Sequence, residues 1–229
     1  MIYVTADTHG KYNFSKIELF VKERPDLTYD DYLIIAGDFG GLWNAETIGQ
    51  DLEPYQKLPC TVLFVDGNHE NFDLLNAYPV EEWKGGKVHK ILPNVIHLMR
   101  GQVFEIDGKT IFTFGGGTSV DKMYRTEGVS WWKQEIPSYE DFVEARINLA
   151  RYNNKVDYII THSCDERALF FPPIVTRSNK RGSVNAENRL FDEFETNVKY
   201  KHWYFGHYHV DGDINERKTV VYENVLPIE

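Results

Sequence analysis

The chain has 229 residues, 42% hydrophobic and 26% charged, a balance that excludes disordered, collagen-like and coiled-coil classes and leaves a globular protein with a large core. Thirty-five acidic against 25 basic residues give a net charge of −10. That charge is spread along the chain, so long nucleic acid, which is bound through Lys/Arg contacts to phosphate, is not an expected partner. The one compact basic cluster, Arg177 to Arg181, is too small to change this. The longest apolar runs, such as Tyr32 to Ala36, are strand-sized and far short of a membrane span. Met1 to Asp7 lacks the basic region and long apolar stretch of a signal peptide, so a cytoplasmic location is expected. Cys60 and Cys164 are expected as reduced thiols. Cys164 lies two residues after His162, so ligation is considered for it, but a small buried core residue is the preferred reading.

In chain order, short apolar runs alternate with amphipathic stretches, and no linker or repeat divides them, so one domain over 1–229 is expected. Ile2–Ala6, Tyr32–Ala36 and Thr61–Val65 read as buried strands. Phe14–Lys22 and Glu46–Lys57 between them read as helices, and a third helix starts near Asn71. Gly101–Ile106 and Lys109–Phe114 flank Asp107-Gly108, a hairpin signal. Ser138 caps a long helix to about Tyr152, with Asp141 three residues on as a partial capping box. Tyr158–Thr161 and His202–Phe205 are strands, and Thr219–Tyr222 closes a sheet. The first half is βαβαβ and the second is richer in strands, which predicts two packed mixed sheets with helices outside.

The residues that follow the buried strands carry the chemistry. They are Asp7-Thr8-His9, Gly37-Asp38, Asp66-Gly67-Asn68-His69-Glu70, His162, and Gly206-His207-Tyr208-His209. Ligands of open α/β sheets bind at the carboxyl ends of strands, so these groups are expected around one cleft. Residues two apart on an extended chain share a face, which pairs Asp7 with His9 and His207 with His209. The glycines before Asp38, Asn68 and His207 permit close backbone approach. Imidazole, carboxylate and amide oxygen together suit Mn, Fe, Zn or Ni, with Mn the first choice. Seven candidate ligands exceed one tetrahedral site, so two divalent metal ions sharing a carboxylate is the economical reading. His89, His97 and His202 fall outside the pattern and are read as structural or surface residues, and Trp83 and the tyrosines as core or rim.

These motifs, in this order and with the Gly67-Asn68-His69-Glu70 block the most specific, resemble those of the calcineurin-like metallophosphoesterases. The resemblance implies a four-layer α-β-β-α sandwich with a dinuclear centre between two mixed β-sheets. By position it implies that Asp7, His9 and His209 hold one metal and Asn68, His162 and His207 the other. Asp38 would bridge them, and His69 would be the non-ligand histidine facing a small phosphorylated substrate. The family's Ser/Thr protein phosphatases carry arginines just after the second motif and just before Asn-His-Glu. This chain instead has Phe39-Gly40-Gly41-Leu42-Trp43 and Val65-Asp66-Gly67, which argues against phosphoprotein substrates. Trp131-Trp132 and Gly115 to Lys122 look like the decoration of small bacterial members.

The implied activity is hydrolysis of phosphomonoesters or phosphodiesters by a metal-bridging hydroxide, with His69 assisting the leaving group. A Ser/Thr-phosphatase-like monoesterase and a non-catalytic scaffold on the same fold are the alternatives. Asp66 and Glu70 are read either as orienting histidine rings or as turn and helix-start residues. Thr118 to Trp132 lacks periodicity, and such segments tend to be functional. Within it Arg125 is weighed as a fixed substrate-binding cation against a surface partner of Asp121 or Glu127.

Overall fold

A computed structural model describes residues 1–177 and 184–229. Of the basic cluster, Arg177 ends a helix and lies over the Tyr222 ring, and the remainder falls outside the described residues. The chain opens β1 (Ile2–Thr5), α1 (Ser15–Glu23), β2 (Tyr32–Ala36), α2 (Ile48–Gln56) and β3 (Thr61–Val65). This is the expected βαβαβ order, with ends shifted by one or two residues. Asn71 caps a single turn, α3 (Phe72–Leu75), its side chain accepting from the Leu74 amide. Next come β4 (Val80–Trp83), β5 (Gly86–Leu92) and β6 (Val95–Leu98), then the expected hairpin β7 (Gln102–Ile106) and β8 (Lys109–Phe114). The long helix α4 (Tyr139–Arg151) starts at Ser138 with a complete capping box. After β9 (Tyr158–Thr161) follow α5 (Pro172–Arg177), α6 (Ala186–Asn197), β10 (His202–Phe205), β11 (Gly212–Asn215), β12 (Lys218–Val220) and β13 (Leu226–Ile228).

Three points differ from the sequence expectation. The strand placed at Thr219–Tyr222 is Lys218–Val220, because Val221 and Tyr222 turn away to meet Phe205 and Asp211. Strands β4 to β6, β11 and β13 were not expected, nor were helices α5 and α6.

The strands form a seven-stranded sheet, β13-β1-β2-β3-β6-β5-β4, and a six-stranded sheet, β11-β12-β10-β9-β8-β7. Both are mixed: β1-β2-β3-β6 run parallel in the first and β8-β9-β10-β12 in the second, with antiparallel strands outside. Side chains alternate between faces, so each strand feeds two apolar layers. Ile2, Val4, Ile34 and Leu63 meet Phe104, Ile111 and Ile160 between the sheets. Tyr3, Leu33, Ile35 and Phe64 pack outward on Ile17, Phe20 and Tyr55 of α1 and α2. On the other side Phe112, Phe114 and Trp203 pack on Phe142, Phe191 and Phe194 of α4 and α6. The result is the expected α-β-β-α layering, with the carboxyl ends of β1, β2, β3, β9 and β10 at one edge. Among the described residues no helix is long and apolar enough to cross a membrane.

Candidate metal centre

Five of the residues expected at the site leave their strands abruptly. Asp7, His9, Asp38, His207 and His209 all have left-handed backbone, with φ between 48° and 71°, a conformation that costs a non-glycine residue about 1–2 kcal/mol. It reverses the chain and turns five side chains back to the cleft. The paired glycines do what their position suggests. A Cβ on Gly37 would lie 2.0 Å from His162 Nδ1, and one on Gly67 would lie 2.0 Å from Asp38 Oδ1. Both backbones press directly on site side chains.

The seven candidate ligands converge in two groups. Ligand atoms of Asp7, His9, Asp38 and His209 lie within 4.8 Å of one another. Here His209 Nε2 is 3.2 Å from Asp7 Oδ1, and His9 Nε2 is 3.2 Å from Asp38 Oδ2. In the second group His162 Nε2 stands 3.3 Å from Asp38 Oδ1, 3.0 Å from Asn68 Oδ1 and 3.2 Å from His207 Nδ1. The two oxygens of the buried Asp38 therefore face different groups.

The surroundings fix which atoms carry protons. The Ala36 carbonyl can only accept, so His162 Nδ1 donates to it at 3.0 Å and Nε2 presents a lone pair inward. In the same way His9 donates from Nδ1 to the Asp7 carbonyl at 3.1 Å, freeing Nε2. The Asn68 amide donates to Ser119 Oγ at 3.1 Å, which leaves its oxygen in the cluster. The His207 amide holds Asp7 Oδ2 at 2.9 Å, while Asp7 Oδ1 is buried without a hydrogen-bond partner. Burial, with His162 beside it, pushes His207 down to about 3, so its ring is neutral. Lone pairs packed this closely around an orphaned carboxylate oxygen repel unless a cation lies between them. The donor set fits divalent metal ions.

His69 stands beside the cluster, its ring 5.2 Å from that of His9. Its backbone amide donates to Asp38 Oδ1 at 2.7 Å. Burial lowers its pKa, and Arg125 adds to this against the pull of Asp38. Arg125 takes Asp121 as its partner and also reaches His69. It makes a bidentate pair with Asp121 at 2.7 and 2.8 Å, and Nη1 lies 3.3 Å from His69 Nδ1. Glu127 is not its partner.

Other expectations resolve more simply. Glu70 orients no histidine: it accepts from the Phe39 and Gly40 amides and pins the loop after Asp38. Asp66 does hold an imidazole, that of His97, together with Arg100. His89 and His97 are buried and in contact, while half-buried His202 pairs with Thr219. Cys60 and Cys164 are buried free thiols, and Cys164 packs in the α4–α6 layer against Tyr208.

Four supports of the site were not anticipated. Glu135, fully buried, accepts from both the amide and hydroxyl of Ser119, at 2.9 and 2.6 Å, and so orients Asn68. Asn13 binds the Asp7 carbonyl, Lys16 binds the Ala6 carbonyl, and Tyr222 stacks on His209 at 4.7 Å. Lys16 was legible as a lone charge on the apolar face of α1 with Phe20. The others lie in irregular segments that carry no periodic signal.

The fold and this cluster define a metallophosphoesterase architecture. The chain belongs to the calcineurin-like phosphoesterase family, whose profile matches residues 1–211. Among solved structures it is similar to phosphopantetheinyl hydrolase from Mycobacterium tuberculosis, at 16% identity and TM-score 0.41, covering 97% of this chain and 89% of that one. It is also similar to a protein of unknown function from Aquifex aeolicus, at 15% identity and TM-score 0.38, covering 87% of each. No curated protein matches the sequence significantly.

Proposed function

We propose that the chain is a dinuclear metal-dependent phosphoesterase acting on a small phosphorylated molecule. Asp7, His9 and His209 would hold one ion and Asn68, His162 and His207 the other, with Asp38 shared between them. The observation that carries this reading is Asp38, whose two oxygens face different groups of ligand atoms. When bound, divalent ions supply Lewis acidity at the phosphoryl oxygens and a hydroxide nucleophile near neutral pH. The protein's own residues do the rest. The Ala36 and Asp7 carbonyls keep lone pairs of His162 and His9 aimed inward. His69, at the rim and not needed as a ligand, delivers a proton to the leaving oxygen. Arg125, braced by Asp121, supplies a fixed cation next to His69 for the substrate's remaining charge.

A turnover screen of nucleotides, cyclic nucleotides, other phosphodiesters and sugar phosphates with Mn²⁺ tests the activity and separates monoesterase from diesterase. Asp38→Ala tests the bridge. Bound metal should fall from about two ions per chain to below one and turnover should be lost. Elemental analysis finding two ions in a folded Asp38→Ala protein would refute the assignment.

A further inference from the structure

Beside the metal cluster runs a groove of 390 Å³, walled by His9 and His69 and continued by Lys11, Tyr12, Trp43, Asn44, Thr47 and Asp51. A larger groove of 490 Å³ between β5 and α4 shares no residue with the cluster. His69, the group assigned to protonate a departing oxygen, borders the smaller one, which places it within reach of the leaving group. One wall, Trp43, is aromatic and fixed. The Trp43 carbonyl accepts from Asn71 at 2.9 Å, and its ring stands edge-on to the buried Trp132, centroids 5.5 Å apart. Trp132 is itself tied to Asp73 through its indole N–H at 2.8 Å. An indole held this way is a rigid plate half open to the groove.

The polar lining is selective too. Among the described residues the Lys11 ammonium has no ion pair or hydrogen bond. Asn44 spends its oxygen on the Glu46 amide and keeps its NH₂ group free. Asp51 accepts from Thr47 through Oδ2 alone, leaving Oδ1 as an acceptor. The groove therefore offers a flat apolar face, a donor and an acceptor for a planar polar edge, and a cation on a chain of net charge −10. A phenol would use only the first of these, and a flexible alkyl chain would use none of them well. A volume of this size lies in the usual range of small-molecule sites.

We propose that this groove is a leaving-group subsite for a nucleoside or nucleotide, the base stacked on Trp43 and any further phosphate held by Lys11. The inference rests on the phosphoesterase reading and names its substrate class. Hydrolysis breaks the bond from phosphorus to the ester oxygen and forms one from phosphorus to the oxygen of water. His69 passes a proton to the released nucleoside oxygen and regains one from the water.

The test is a set of inhibition constants against hydrolysis of a p-nitrophenyl ester by the Mn²⁺-loaded chain. Adenosine monophosphate and ribose 5-phosphate carry the same primary ester oxygen and differ in the base. The nucleotide should bind at least about tenfold tighter, or 1.4 kcal/mol, and Trp43→Ala should collapse that ratio toward one. Adenosine diphosphate should gain further over the monophosphate, and Lys11→Ala should remove that gain. Equal constants for the two monophosphates, or a ratio that survives Trp43→Ala, overturns the subsite while leaving the phosphoesterase intact. No hydrolysis of any ester with any divalent ion overturns both.

Discussion

At the scale of single residues the proposed site divides labour between atoms that would hold charge and one that would move a proton. Asp38 and Asp7 are locked by the His69 and His207 amides, so neither can swing to act as an acid. His69 has its side chain free of that duty. His69→Asn should retain metal while slowing turnover about 10²–10⁴-fold, with a smaller loss for good leaving groups such as p-nitrophenolate. Equal losses across leaving groups, measured as kcat with bound metal verified, would remove the proton-donating role. Glu135 acts at one remove, through Ser119 to the Asn68 amide. Partners of this kind typically change metal affinity about 10–100-fold. Glu135→Gln should therefore weaken binding of the ion at the Asn68 side, seen calorimetrically as one Mn²⁺ site shifted and one unchanged. Two unshifted sites would reduce Glu135 to a packing residue. The candidate ligands were legible because they end buried strands. Glu135 was not, since it meets Ser119 across an irregular segment.

At the scale of elements, what could be read depended on burial. β1, β2 and β3 are parallel and covered on both faces, so they appear as uninterrupted apolar runs. β4 is an edge strand, Val80-Glu81-Glu82-Trp83, whose exposure alternates and whose charges mask it. β13 is three residues long with Pro227 at its centre, tolerable on a sheet edge but discouraging in sequence. Helix α6 did carry a signal, Leu190, Phe191 and Phe194 at helical spacing, with Asn185 capping. The α4 cap was legible and is complete: Ser138 Oγ accepts from the Asp141 amide, and Asp141 accepts from the Ser138 amide. Ser138→Ala should cost about 1 kcal/mol, readable by denaturant titration. An unchanged midpoint would mean that Phe142 and Leu149, packed in the layer beneath, hold the helix without its cap.

For the whole molecule, stability rests on three apolar layers into which a few polar groups are admitted in pairs. One such chain crosses the outer face of the larger sheet. The Asp66 carboxylate only accepts, so His97 donates to it from Nε2 and takes a hydrogen bond on Nδ1 from His89. Burial, with His97 next to it, pushes His89 down to about 4 from an ordinary 6.5. Between those values the unfolded chain binds a proton that the folded chain refuses. This contribution to stability is therefore full above about pH 6.5 and is lost as pH falls toward 4. The melting temperature should drop more over that interval in the parent than in His89→Gln. Identical pH slopes in the two would show that His89 does not titrate with unfolding.

The left-handed turns at Asp7, His9, Asp38, His207 and His209 have a consequence for anyone altering this protein. A glycine at any of the five would relax the backbone, so a search that rewards thermal robustness alone in metal-free protein would favour variants that have discarded a donor. Copying the seven side chains onto another sheet would fail for the complementary reason. Without the reversed main chain beneath five of them, those residues would point along their strands instead of toward the cluster.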